Sequence, residues 1–142
     1  MLRLAFVLSI VLLAALAPAA SSAIKFGKIH YNSPGSDSGS NASLNGEWIT
    51  IKNTGNSVRS LTGWTVRDKA GHVYRFGTFR LGAHKTVKLH TGKGSNRPLH
   101  RYWGSSGYIW NNDKDTARLR NANGGLVDTC SYNASAKSEK LC

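Results

Sequence analysis

Acidic residues are scarce in this chain. Seven Asp and Glu stand against 19 Lys and Arg over 142 residues, a formal net charge of +12 with histidine neutral. Between residues 69 and 101 there are eight Lys and Arg, four His and no acid. Carboxylates are few, and Glu47, which falls on an inward strand parity, has no partner carboxylate near it in sequence, so no general acid–base constellation is expected. Long apolar runs are lacking too. The one candidate, residues 4–16, is broken only by Ser9 and falls short of the roughly 20 residues a spanning helix needs. Arg3 before it and the small residues Ala17-Pro-Ala19 and Ser21-Ser-Ala23 after it make residues 1–23 a signal peptide. The chain is therefore expected to be exported, as a single domain over 24–142 with no membrane span left after cleavage. Cleavage would remove one base, Arg3, and leave 18 bases against 7 acids. Cysteine is also rare. Cys130 and Cys142 are too far apart for a C-x-x-C redox pair, and in an oxidising compartment two such thiols pair. Their bond would pin a tail, residues 133–142, onto a core over 24–132.

Helical periodicity is absent: no segment carries apolar residues at helical spacing over three turns. What is present is a series of short alternating runs separated by turn signals, the pattern of an all-β sandwich or barrel. Ile24, Phe26 and Ile29 mark a first strand. Ile49 and Ile51 share an inward parity with Glu47 and Asn53 at its two ends. A buried carboxylate without partners is too costly, so Glu47 reads as a satisfied residue bonding turn backbone. Trp64, Val66 and Asp68 point inward on the next strand. Asp68-Lys-Ala-Gly71 then favours a type I turn into residues 73–76. Residues 85–89 form another strand, with Val87 and Leu89 inward. Residues 91–106 read as a long irregular loop and Tyr108-Ile-Trp110 as a strand. Residues 116–120 and 126–128 form a last hairpin across Asn121-Ala-Asn-Gly-Gly125.

Several of these residues fall into a known pattern. Glu47-x-Ile49-x-Ile51-x-Asn53-x-Gly55, then Leu61-x-Gly63-Trp64-x-Val66-x-Asp68, then Trp110-Asn-Asn-Asp113 with Leu119, Asn121, Gly124 and Asp128, resembles the lamin-tail domain. The resemblance spans about residues 24–132 and is most specific at Leu61 to Asp68. It is closer to small secreted bacterial members than to nuclear lamins, because no coiled-coil heptads precede it. It implies an immunoglobulin-like β-sandwich of about nine strands and a non-enzymatic module. Such domains accompany secreted nucleases, phosphatases and surface proteins, and in lamins they contact chromatin and protein partners. Asn53, Gly63 and Trp64 are structural in that pattern, so it assigns no functional residue here.

Positive charge is the clearest functional signal. Strand parity points Arg67, Lys88, Arg118 and Arg120 away from the core, as a cationic sheet face. Arg97, Arg101, Tyr102 and Trp103 add a loop in which rings alternate with charge, a composition that holds anionic polymers or unpaired bases. The expected partner is an anionic polymer, extracellular DNA or acidic cell-wall polymer. A protein partner, met through a sheet edge or the Tyr102-Trp103 loop, is the other reading, and a merely solvated face is the plain alternative. His84 and His90 share an outward parity that could hold a transition metal, but two neutral surface imidazoles are the simpler reading. Asn111-Asn-Asp-Lys-Asp115 offers oxygen ligands for calcium, yet Lys114 interrupts them and an Asx-type turn suits the composition better. Gly104-Ser-Ser-Gly107 lacks the nucleophile elbow, and no phosphate-binding loop is present. No catalytic residue, metal or cofactor is expected.

Overall fold

The computed structural model describes residues 23–133 and 137–142. The segment read as a signal peptide lies outside the described residues, apart from Ala23. Eleven strands and one short helix follow in the order β1 Ile24–His30, α1 Asn41–Asn45, β2 Trp48–Asn53, β3 Arg59–Ser60, β4 Thr65–Arg67, β5 Val73–Arg75, β6 Arg80–Leu81, β7 Thr86–His90, β8 His100–Tyr102, β9 Asp115–Arg120, β10 Leu126–Tyr132 and β11 Glu139–Leu141. They form a five-stranded sheet β11-β1-β2-β7-β8, a four-stranded sheet β10-β9-β4-β5 and a small β3-β6 ribbon. The two larger sheets hold nine strands, in an all-β immunoglobulin-like fold.

Period-2 alternation builds the interior. Ile49 and Ile51 of β2, Val87 and Leu89 of β7, Val66 of β4 and Ala117 and Leu119 of β9 are all buried in one core. Each large aliphatic side chain so placed contributes about 1.5–3 kcal/mol. In β1, Phe26 and Ile29 are both buried although three residues apart, because the register with β2 slips between them. This bulge falls at Gly27, where an added Cβ would lie 2.7 Å from the Thr50 hydroxyl. The Thr50 oxygen accepts the Lys28 amide at 2.8 Å instead. The 68–71 turn and the β9–β10 hairpin form as the sequence predicts, with Gly71 and Gly124 at positive φ.

Three readings change. Tyr108-Ile-Trp110 is not a strand: the Ile109 and Trp110 amides donate to the Glu47 carboxylate at 2.7 and 3.0 Å, not to a neighbouring strand. Residues 91–106 are not wholly irregular, since β8 lies within them and pairs in parallel with β7. The tail is not only pinned: β11 adds to the sheet edge against β1. Cys130 of β10 is bonded to Cys142 after β11, so the disulfide ties one sheet to the other.

Candidate functional site

Four arginines share the outer face of the four-stranded sheet. Val66, Ala117 and Leu119 point into the core, so Arg67, Arg118 and Arg120 point out. The β4–β9 register sets Arg67 directly opposite Arg118, and Thr65 opposite Arg120. On its other side Thr65 faces Arg75 of β5, a residue that sequence reading missed because its strand lay outside the parity set considered. Arg75 donates to the Gly63 carbonyl at 2.9 Å and Arg120 to the Gly124 carbonyl at 3.1 Å. Among the described residues the ion pairs are Lys28–Glu139 and His72–Asp68, so none of these arginines has a carboxylate partner. Like charges directly opposite across a strand pair are destabilising. Thr129 lies opposite Arg118, and Leu126 opposite Arg120, on β10. The face thus carries guanidinium groups beside Thr65, Thr129 and the exposed apolar side chains of Val73 and Leu126, and none of the residues paired in these rows is aromatic.

The rest of the predicted set lies elsewhere. Lys88 projects from the outer face of the five-stranded sheet, its Nζ 4.1 Å above the Trp48 ring. Lys25 faces Lys52 on that same side. A row of rings, His30, Trp48, His90 and Tyr102, crosses β1, β2, β7 and β8 in register. Arg97 exchanges backbone hydrogen bonds with His100 at the rim of this face. Arg101 turns the other way, 4.4 Å from the Phe79 ring. Trp103 packs on Tyr74 and Trp110 at 5.9 and 6.1 Å. Consecutive strand residues point to opposite sides, so Arg101-Tyr102-Trp103 is not one contact loop. Its Arg101 and Trp103 cover the core edge, and Tyr102 joins the ring row.

His84 does not partner His90. It lies in the turn before β7, at φ 58°, and bonds the Asn56 side chain at 2.8 Å. Strand parity does not run through that turn. His90 meets His100 instead, Nε2 to Nδ1 at 3.0 Å. The Asn45 carbonyl, 3.2 Å from His90 Nδ1, can only accept, so that nitrogen carries the proton. His100 Nδ1 then donates to His90 Nε2. Burial first, then the charges of Lys88 and Arg97 and, for His90, that of His100, hold both imidazoles below their ordinary pKa. Among the described residues no three His, Cys, Asp or Glu side chains gather to hold a metal.

The acids explain why the exterior is so cationic. Glu47 is 1% exposed, and its Oε1 also accepts the Thr91 hydroxyl at 2.8 Å. Burial pushes its carboxyl up to about 7. Asp68 accepts the Gly71 and His72 amides and meets His72 Nδ1 at 2.7 Å. Asp115 accepts the amides of Lys69, Asn111 and Thr116, which makes the 111–115 segment a carboxylate-tied turn. Asp128 takes the amides of Phe26 and Thr129. Four of the seven acids therefore bond backbone, and Asp37, Asp113 and Glu139 remain as exposed ones.

A family model, the Lamin Tail Domain, matches residues 17–134. The chain belongs to the lamin-tail domain family. No curated protein matches it. Lamin-tail domains are immunoglobulin-like modules and are generally non-enzymatic. In this lamin-tail domain the family's Asn53 is wholly structural. Its Nδ2 donates to the carbonyls of Ser57, Leu81 and Gly82, and its Oδ1 accepts the Gly55 amide.

Proposed function

We propose that this lamin-tail domain is an exported, non-catalytic module that holds the phosphate backbone of double-stranded nucleic acid on its arginine face. The observation that carries the reading is the Arg67–Arg118 cross-strand pair, flanked by Arg75 and Arg120 with no carboxylate against them. Guanidinium forks match phosphate oxygens in a way that lysine does not. The lack of rings in this patch suits backbone contact rather than stacking of unpaired bases.

The test is a gel shift of the purified protein on duplex DNA at several salt concentrations. Affinity should fall linearly in log–log with a slope near −0.9 per phosphate contacted. Arg67→Ala, Arg118→Ala and Arg120→Ala together should weaken binding at least tenfold and flatten the slope by about one per arginine removed. No retention of DNA at 50 mM salt would end the nucleic-acid reading. Retention of an acidic polysaccharide in its place would assign the face to cell-surface polymer. Salt-insensitive capture of a single protein would favour an adhesion role.

A further inference from the structure

We infer that the protein is a two-faced clamp: one molecule binds two separate DNA duplexes, one on each outer face of the sandwich. The inference rests on the arginine-face reading and adds a second site. That site is the outer face of the five-stranded sheet. There the rings of His30 and Trp48, and of His90 and Tyr102, stack on each other and Lys88 lies over Trp48. These rings are engaged within the protein, so the cations are what the face presents to a duplex. Ile24 and Phe26 of β1 and Ile51 and Asn53 of β2 are buried, so Lys25 and Lys52 project outward, directly opposite each other. One row along, Thr50 faces Lys88, and Lys88 faces His100. Lys28 is held by Glu139 at 3.4 Å, which leaves Lys25, Lys52 and Lys88 without a carboxylate among the described residues. A second like-charge cross-strand pair, Lys25–Lys52, thus repeats on this sheet what Arg67–Arg118 does on the other.

Geometry separates the two clusters. The stacked sheets of a sandwich lie about 10 Å apart, and their outer side chains point in opposite directions. A straight duplex laid on one face cannot touch the other. Wrapping one duplex around a domain this small would require bending far tighter than the ~50 nm persistence length of DNA favours. Two duplexes, one per face, satisfy both clusters without bending. Glu47, Asp68 and Asp115 are buried and Asp128 is tied to the Phe26 and Thr129 amides, so among the described residues Glu139, beside Lys28, is the one exposed carboxylate on the strands of either sheet.

The experiment immobilises one biotinylated duplex on beads, loads the purified full protein, washes at low salt, and adds a fluorescent duplex of different sequence. The wild type should retain the second duplex. At the low salt of the wash, Arg67→Ala/Arg118→Ala/Arg120→Ala should stay on the beads through the weaker lysine face and Lys25→Ala/Lys52→Ala/Lys88→Ala through the arginine face, yet each should capture less than one-tenth as much second duplex. These are surface changes, and an unchanged thermal midpoint in each confirms the fold. Wild-type protein that binds the beads but captures no second duplex overturns the clamp and leaves the arginine-face reading standing. Wild-type protein that never binds the beads removes both. Second-duplex capture by either variant at the wild-type level would place bridging in self-association and also overturn it.

Discussion

At Glu47 a single carboxylate oxygen holds the Ile109 amide, the Trp110 amide and the Thr91 hydroxyl inside the core. Its folded pKa of about 7 lies above the ordinary 4.5, with burial as the main cause. The raised value sets the sign of the linkage. The stability it contributes is complete below 4.5 and is lost as pH rises through about 7. Urea unfolding should therefore show the wild type losing stability between pH 5.5 and pH 8.5 relative to Glu47→Gln, which keeps the accepting oxygen and does not titrate. Identical pH profiles for the two would show that the carboxyl is not raised. Glu47→Ala leaves two buried amides and a hydroxyl unsatisfied, at about 1–3 kcal/mol each, and should cost at least ~3 kcal/mol. His90 and His100 act in the opposite sense. Their folded pKa lies below 6.5, so their contribution is present above that value and is lost as pH falls. Glu47 and Asn53 were legible as inward polar residues because strand alternation alone sets their side. The His90–His100 contact was not, because it joins two strands of which one, β8, leaves no apolar alternation in the sequence.

β8 reads His100-Arg101-Tyr102, and its inward residue is an arginine lying over Phe79. A cation covering a ring does the work of an apolar side chain there, so hydrophobic periodicity cannot reveal the strand. The converse holds for Tyr108-Ile-Trp110, whose apolar pattern resembles a strand while its amides serve Glu47. The tail is a third case. All three residues of β11 are exposed, so nothing in them signals burial. β11 is held by backbone pairing to β1, by the Cys142 amide on the Gly27 carbonyl at 2.8 Å, and by the disulfide to β10. Two further ties close the same flank: Asp128 on the Phe26 amide at 2.8 Å, and the stacked Tyr31 and Tyr132 rings 4.0 Å apart. Cys130→Ser with Cys142→Ser should cost roughly 3 kcal/mol in the chain-entropy model for a loop of this length. Hydrogen exchange should then show β11 amides losing protection while β4 and β9 keep theirs. Uniform loss across both sheets would mean that the bond supports the whole sandwich rather than its last strand.

Over the whole molecule, parity says which residues face out, but only pairing order says which sheet they face out from. That is why the cationic exterior was legible and its division was not. Lys88 and Arg118 share the same outward sense, yet the order β11-β1-β2-β7-β8 puts one on the five-stranded sheet, and β10-β9-β4-β5 puts the other on the four-stranded sheet. A division into two opposed clusters has a consequence that a single patch would not. A bivalent monomer bridges best when duplex sites are in modest excess. With protein in large excess each duplex is coated separately, and each bound molecule's second face finds no uncoated partner. Capture of the second duplex should therefore rise and then fall as protein is titrated, with the maximum moving in proportion to the DNA added. Protein that bridges by self-association would instead climb to a plateau and hold it. A titration across a hundredfold range of protein, with monomer confirmed by sedimentation in the absence of DNA, separates the two curves.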